Sequence, residues 1–162
     1  MKFGNTLPSD ILIRKFRIED LEVVKQLIDT TITISYRGVY PQEAIDYFLL
    51  FHSENNILED AARGCTDVLV TDRIVGTATL LGSEIKRVFV DPSFHRNGLG
   101  TLLIETLEHE ALKNGIKKIS LSASLPSKQF YDTLGYITEC RTFLLVQHEK
   151  RLEYYTMIKN LA

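Results

Sequence analysis

Residues 84–107 read EIKRVFVDPSFHRNGLGTLLIETL. The run from Glu84 to Val90 is β-branched and apolar enough to predict a strand, which Pro92 ends because proline has no N–H to give a ladder. Apolar residues then recur at Leu99, Leu102, Leu103, Leu107 and Ala111. That is the spacing of one helix face, so a helix is predicted over 98–114, stopped by Asn114-Gly115. KKISLSA (117–123) predicts the next strand. Strand, helix and strand make a crossover unit whose two strands should run parallel. Between the first strand and the helix lie Gly98 and Gly100, with Arg96 just before them. The first amides of a helix have no partners inside it and sit at the positive end of its dipole. Glycine lets a bulky group approach them, and Arg96 offers forked donors suited to phosphate. The stretch reads as an anion site, best suited to a pyrophosphate, or as a plain tight strand-to-helix turn. It is not a P-loop, which needs a lysine after its glycines, nor the dinucleotide fingerprint, whose third glycine position holds Leu103.

Outward from this unit the punctuation is regular. ILIRKF (11–16) predicts a strand. Leu21, Val24, Leu27 and Ile28 predict a helix behind Glu19 and Asp20, weakening at TTITIS (30–35), where β-branched residues suit a helix poorly. Pro41 is expected as the first residue of a second helix with Ala44, Ile45, Phe48 and Leu49 on its apolar face. A third helix is expected over 56–63, closed by Gly64. DVLVT (67–71) and IVGTATLL (74–81) read as a hairpin across Asp72-Arg73, with Gly76 marking a bulge or a close backbone approach. A short helix over 126–134 and strands over 136–146 and 151–159 complete the order. The expected fold class is α/β: a mixed, mostly antiparallel sheet of about seven strands holding one parallel unit, flanked by helices.

The chain's 162 residues suit one domain over 1–162, with 1–8 expected as a flexible N-terminus. A formal net charge of −2 and a pI near 6.1 lack the basic face that a nucleic-acid partner would need. No apolar run reaches the ~18 residues of a membrane span, and the N-terminus has no signal-peptide core, so no membrane partner and a cytoplasmic location are expected. Cys65 and Cys140 form no CxxC pair, and His52, His95, His109 and His148 are scattered, so no metal is expected. Two buried or half-buried reduced thiols are the simplest reading.

VFVDPSFHRNGLGTLLIETL resembles the signature of the GNAT superfamily of acyl-CoA-dependent N-acyltransferases, in which a valine-ended strand and a turn lead into Q/R-x-x-G-x-G/A at a helix start. SLPSKQFYDTLGY (124–136) resembles that family's second signature, N/S-x-x-A/S-x-x-F-Y-x-x-x-G-F/Y, and YYTMIK resembles its closing strand. The element order matches over nearly the whole chain. His95 stands where glutamine or arginine is commonest, Ser124 where asparagine is common and Ser127 where alanine is usual.

The resemblance implies an acetyl-CoA, or another acyl-CoA, in a cleft where the parallel strands splay apart. Backbone groups of Val88 and Val90 would pair with the pantetheine arm and polarise the thioester carbonyl. His95, Arg96, Asn97, Gly98, Leu99, Gly100 and Thr101 would hold the pyrophosphate, with Ser124 and Ser127 nearby. Lys128 would touch a phosphate or stand solvated. Tyr36, Arg37 and Tyr40 would line the acceptor pocket or pack as a helix-linker cluster. The resemblance also allows a homodimer, since the two C-terminal strands often pair across subunits in that family.

The implied chemistry is acetyl transfer to a primary amine of a small molecule. The alternatives are a protein or peptide N-acetyltransferase and a non-catalytic acyl-CoA-binding sensor on the same fold. A lysine-like amine must lose a proton before attack, at a cost of roughly 4.6 kcal/mol near pH 7. Glu84 matches the family's base position. Strand alternation would put it on one face with Lys86, Val88 and Val90; otherwise it is a strand-edge carboxylate paired with Lys86. Tyr131 matches the family's general-acid position beside the thioester sulfur, or is a core tyrosine, and Phe130 reads as core. Tyr154 and Tyr155 alternate on their strand, and neither is given a role.

Overall fold

Seven strands build one sheet in the order β1-β2-β3-β4-β5-β7-β6. They are β1 (Leu12–Lys15), β2 (Cys65–Val70), β3 (Ile74–Leu81), β4 (Glu84–Val90), β5 (Lys118–Ser124), β6 (Ile137–Leu145) and β7 (Arg151–Asn160). The helices are α1 (Leu21–Tyr36), α2 (Gln42–Phe51), α3 (Glu54–Arg63), α4 (Leu99–Lys113) and α5 (Lys128–Thr133). This is a computed structural model and describes residues 10–161; the flexible N-terminus expected over 1–8 lies outside them. Only β4 and β5 pair in parallel, and every other neighbouring pair is antiparallel. The mixed, helix-flanked α/β fold expected from the element order is the one formed.

The sheet divides two cores. On one side α4 buries Leu103, Ile104 and Leu107 against Ile119, Leu121 and Met157. On the other, α1, α2 and α3 bury Ile28, Ile32, Ala44 and Ile57 against Val68 and Phe89. Gly76 permits the first of these packings: a Cβ there would stand 3.1 Å from Leu103 Cδ1. Of the two expectations for that glycine, the bulge is present: Leu69 faces Gly76 but Val70 faces Ile74, which leaves Val75 as the extra residue, and the close approach is by a side chain.

Four local expectations are corrected. α1 does not weaken at 30–35 but runs on to Tyr36. The hydroxyls of Thr31 and Thr33 donate to the carbonyls of Leu27 and Asp29, and Ile32 is fully buried, so packing overrides a poor intrinsic propensity. α3 starts at Glu54 because Ser53 caps it, its hydroxyl accepting from the Asn56 amide. Pro41 is the residue before α2 rather than its first. Of the two free cysteines, Cys65 is half-buried as expected, but Cys140 is exposed on β6, which corrects the expectation that both thiols are at least half-buried.

The correction that matters most for the site lies in β4. Thr77 faces Phe89, but Thr79 faces Lys86, so Arg87 and Val88 together oppose Ala78. This is a β-bulge, with Arg87 at φ +57°. The extra residue breaks the alternation expected over 84–90. Lys86 and Arg87 both reach Asp60 on α3, whereas Val88 packs on the α4 side. Glu84, Lys86, Val88 and Val90 therefore do not share a face. Nor does Glu84 pair with Lys86, whose ammonium bonds Asp60 at 3.1 Å.

Candidate functional site

β4 and β5 stay together only briefly. Glu84 pairs with Ser120 and Ile85 with Leu121, and beyond Ile85 the two strands separate. On its other side β4 remains bonded to β3: the Asp91 amide donates to the Val75 carbonyl at 2.8 Å, in register with the Thr77–Phe89 pair. Backbone groups alternate in direction along a strand, so those of Val88 and Val90 point into the gap that β5 has left. An open strand edge is thus presented inside the molecule, ready to pair with an extended ligand.

The gap widens into a cleft of about 410 Å³. Val88 and Val90 form one wall, Pro126, Ser127, Phe130 and Tyr131 another, and the turn from His95 to Thr101 closes the end. Gly98 caps α4 with φ +76°, a left-handed conformation that a side chain would resist. Gly100 is needed for a different reason: a Cβ there would stand 3.1 Å from Phe130 Cζ. Phe130, read from sequence as core, does pack against the α4-side core and also lines the cleft against the glycine turn. The His95 ring folds back so that Nε2 donates to the Val90 carbonyl at 2.6 Å. The unusual residue of the turn thus occupies one of the acceptors on the open β4 edge. Asn97 does not line the cleft, and Lys128 does not either; its ammonium bonds Asp132 one turn along α5 at 2.7 Å.

A second cavity of about 150 Å³ opens on the α2 and α3 side of the same gap. Tyr36, His52, Glu84, Lys86 and Arg87 line it, and Val88, Ser127 and Tyr131 line both cavities. Tyr131 is only 6% exposed, and burial pushes its phenol well above the ordinary tyrosine value. Its hydroxyl keeps its proton at every physiological pH. Ser124 and Ser127, which both line the smaller cavity, share a hydrogen bond of 2.7 Å.

The three residues expected at an acceptor pocket are not brought together. Tyr36 lines the smaller cavity, Arg37 is exposed and lines neither, and Tyr40 is buried outside both. Tyr36, Tyr40 and Phe48 pack as a cluster with ring centroids 4.8–5.3 Å apart. The Tyr40 hydroxyl accepts from the Leu125 amide at 2.9 Å and donates to the Glu153 carbonyl at 2.7 Å. Tyr40 thereby fastens the segment between α1 and α2 to β7 and to the 3-10 turn Leu125–Ser127 that leads into α5.

A polar cluster that the sequence did not disclose borders the smaller cavity. The Arg87 guanidinium donates through Nε to His52 Nδ1 at 3.1 Å and through Nη1 to Asp60 Oδ2 at 2.8 Å. Because an arginine Nε can only donate, His52 Nδ1 must accept, and the proton of the neutral ring sits on Nε2. Burial first, then the nearby Arg87 charge, pulls His52 down to about 3, so it is neutral at physiological pH. Asp60 is held below the usual carboxylate range: burial works against this, but bonds from Arg87 and Lys86 outweigh it. His52 was one of four scattered histidines, and no spacing rule links it to residues 60 or 87.

Among the described residues no group of three or more His, Cys, Asp or Glu is placed to hold a metal ion, and no helix is long and apolar enough to cross a membrane.

Comparison with known proteins agrees with this fold. A family model described as an acetyltransferase (GNAT) domain matches residues 36–159. The glucosamine 6-phosphate N-acetyltransferase of Trypanosoma brucei brucei is 36% identical over 77 residues, covering 41% of this chain and 52% of that protein. A Bacillus subtilis relative is 30% identical over 73 residues, covering 45% and 47%. The chain thus spans about half the length of the curated relatives it matches. A GCN5-related N-acetyltransferase structure from Rhodopseudomonas palustris superposes with a TM-score of 0.86 at 23% identity, over 97% of this chain and 99% of that one. The PaiA N-acetyltransferase of Thermoplasma acidophilum, solved with coenzyme A, gives 0.71 at 20% identity over 93% and 99%. At these identities the structural likeness speaks for the fold.

Proposed function

The chain belongs to the GNAT family of acetyltransferase domains, and on that premise we propose that it transfers an acetyl group from acetyl-CoA to a primary amine of a small molecule. The observation that carries this reading is the position of Tyr131, together with Val88, on the boundary between the two cavities. A thioester lying along the open β4 edge would have its carbonyl beside the Val88 backbone and its sulfur beside a phenol that burial keeps protonated. The larger cleft suits the long donor, and the smaller one a compact acceptor. The Trypanosoma relative, named for glucosamine 6-phosphate, points toward a small amine as well.

In this reading the pyrophosphate rests on the amides from Gly98 to Thr101, with Arg96, His95, Asn97 and Leu99 shaping the turn and Ser127, bonded to Ser124, on the opposite wall, while Lys128 stays outside the cleft on Asp132. The pantetheine arm pairs with Val88 and with the Val90 amide, since His95 already occupies the Val90 carbonyl. The amine enters past Glu84, which is exposed at the mouth of the smaller cavity. Glu84 takes the amine's proton, directly or through water. The neutral nitrogen attacks the thioester carbon, and backbone N–H groups on β4 stabilise the oxygen's charge. The C–S bond then breaks, the attacking nitrogen gives up its second proton to solvent, and the leaving thiolate receives the Tyr131 proton, which solvent restores.

Free thiol measured on mixing the protein with acetyl-CoA and a panel of primary amines tests the proposal. Amine-dependent thiol release is the expected result. Acyl-CoA binding with no release for any amine would instead leave a non-catalytic binding protein.

A further inference from the structure

We infer that the amine accepted here also carries an anionic group, a carboxylate or a phosphate, which the smaller cavity holds against Lys86 and Arg87. This rests on the reading of that cavity as the acceptor's. The bulge in β4 turns two successive cations the same way, and both bond the same atom: Asp60 Oδ2 lies 2.8 Å from Arg87 Nη1 and 3.1 Å from Lys86 Nζ. Their side chains are 2% and 18% exposed, and that of Asp60 is 12% exposed. Two charges of one sign therefore face a single carboxylate in a shielded place, leaving one positive charge unmatched.

The neighbours do not balance it. Lys25 is another cation, matched by Asp29 at 2.6 Å. His52 is neutral, and its Nε2–H is a further donor on a residue that lines the cavity. Glu84 is exposed at the mouth and forms no ion pair among the described residues. An unmatched buried charge is costly unless a partner arrives. Arg87 Nη2 bonds no described residue, although Nε and Nη1 of the same fork are both engaged. The cavity thus offers an anion an arginine edge, an ammonium and an imidazole N–H, while Glu84 offers the ammonium end of the same molecule a carboxylate. Glu84 and Lys86 are two residues apart on one strand, a span of about 7 Å, so amine and anion need only a few bonds between them.

The test uses the protein loaded with CoA, which cannot react, and matched amines titrated by calorimetry. The pairs are glycine against glycinamide, ethanolamine phosphate against ethanolamine, and glucosamine 6-phosphate against glucosamine. In at least one pair the anionic member should bind about 10- to 100-fold more tightly, the range of charge-assisted hydrogen bonds. Whether the carboxylate or the phosphate pairs show the preference tells the two sources apart. Lys86→Met should shrink the ratio, and Asp60→Asn, which removes the competing carboxylate, should enlarge it. A purely structural cluster would lower the melting temperature in both variants and leave the ratio alone. Equal binding within every pair, or tighter binding of the uncharged members, overturns the inference. Repeating the pairs with acetyl-CoA separates it from the reading it rests on. Anionic amines that bind but release no thiol would sink acetyl transfer and leave this inference standing. Acetylation of both members without preference would do the reverse.

Discussion

Replacing Tyr40 by phenylalanine removes one oxygen atom, and the structure states what that atom does. It accepts from the Leu125 amide at 2.9 Å and donates to the Glu153 carbonyl at 2.7 Å, in a side chain 7% exposed. Burial pushes the phenol up to about 12, so both bonds persist across the physiological range. The Tyr40→Phe ring keeps its packing on Tyr36 and Phe48, so apolar burial is unchanged. What changes is a backbone donor and a backbone acceptor left without a partner. Each costs about 1–3 kcal/mol when orphaned in the interior, and because Leu125 and Glu153 are themselves half-buried the low end applies, about 2–3 kcal/mol together. That is a large share of the ~5–15 kcal/mol that holds a typical domain folded. Leu125 also begins the turn into α5, which carries Tyr131, so the loss reaches the site. Urea unfolding should show the midpoint falling with an unchanged slope. Acyl transfer should slow even where the variant remains fully folded. A stability loss below about 0.5 kcal/mol with normal turnover would refute the reasoning, because water would then be replacing both bonds.

Other expectations follow from the same geometry. Tyr131→Phe should lower turnover about 100-fold, within the usual range for a general acid, while acyl-CoA affinity is spared; an unchanged rate removes Tyr131 from the acid role, and Glu84→Gln tests the base in the same assay. Gly100→Val should weaken acyl-CoA binding by about tenfold or more, since overpacking would press the new side chain on Phe130 in the cleft wall. Gly98→Ala meets no atom within 4 Å, and its cost is the left-handed backbone, about 1 kcal/mol of stability. His52 sits at about 3 when folded against an ordinary 6.5, so between these values the unfolded chain binds a proton that the folded chain refuses. Stability therefore falls as pH drops from 6.5 toward 3, by about 2 kcal/mol between about pH 7.5 and pH 5. Chemical denaturation at the two pH values should show this in the wild type and much less of it in His52→Gln.

Much of the fold was legible because its signals are local. Pro92, Gly98 and Gly115 punctuate β4 and α4, and the apolar spacing from Leu99 to Ala111 marks α4's buried face. The order of these elements led to a mixed sheet with one parallel pair, as the sheet shows. The glycine turn was found in the same way, and Tyr131 through the resemblance of SLPSKQFYDTLGY to a family signature; both line the larger cleft.

What the sequence could not settle depends on contacts between distant segments. The bulge at Arg87 is a property of the register between β3 and β4, and no residue type in RVFV announces it. It turns Arg87 toward His52 and Asp60, 35 and 27 positions earlier, and separates Glu84 from Val88. The sequence leaves Tyr40 between an acceptor-pocket residue and a member of a helix-linker packing cluster; the cluster is what forms, and the Tyr40 hydroxyl meets partners 85 and 113 positions away. The sequence alone determined which segments form strands and helices and where a glycine turn leads into a helix start, because backbone propensity and periodicity act over a few residues. The tertiary structure decided which charges share a cavity and which hydroxyls serve as braces, because burial makes an unpaired polar group costly and so selects partners by position in space rather than in the chain.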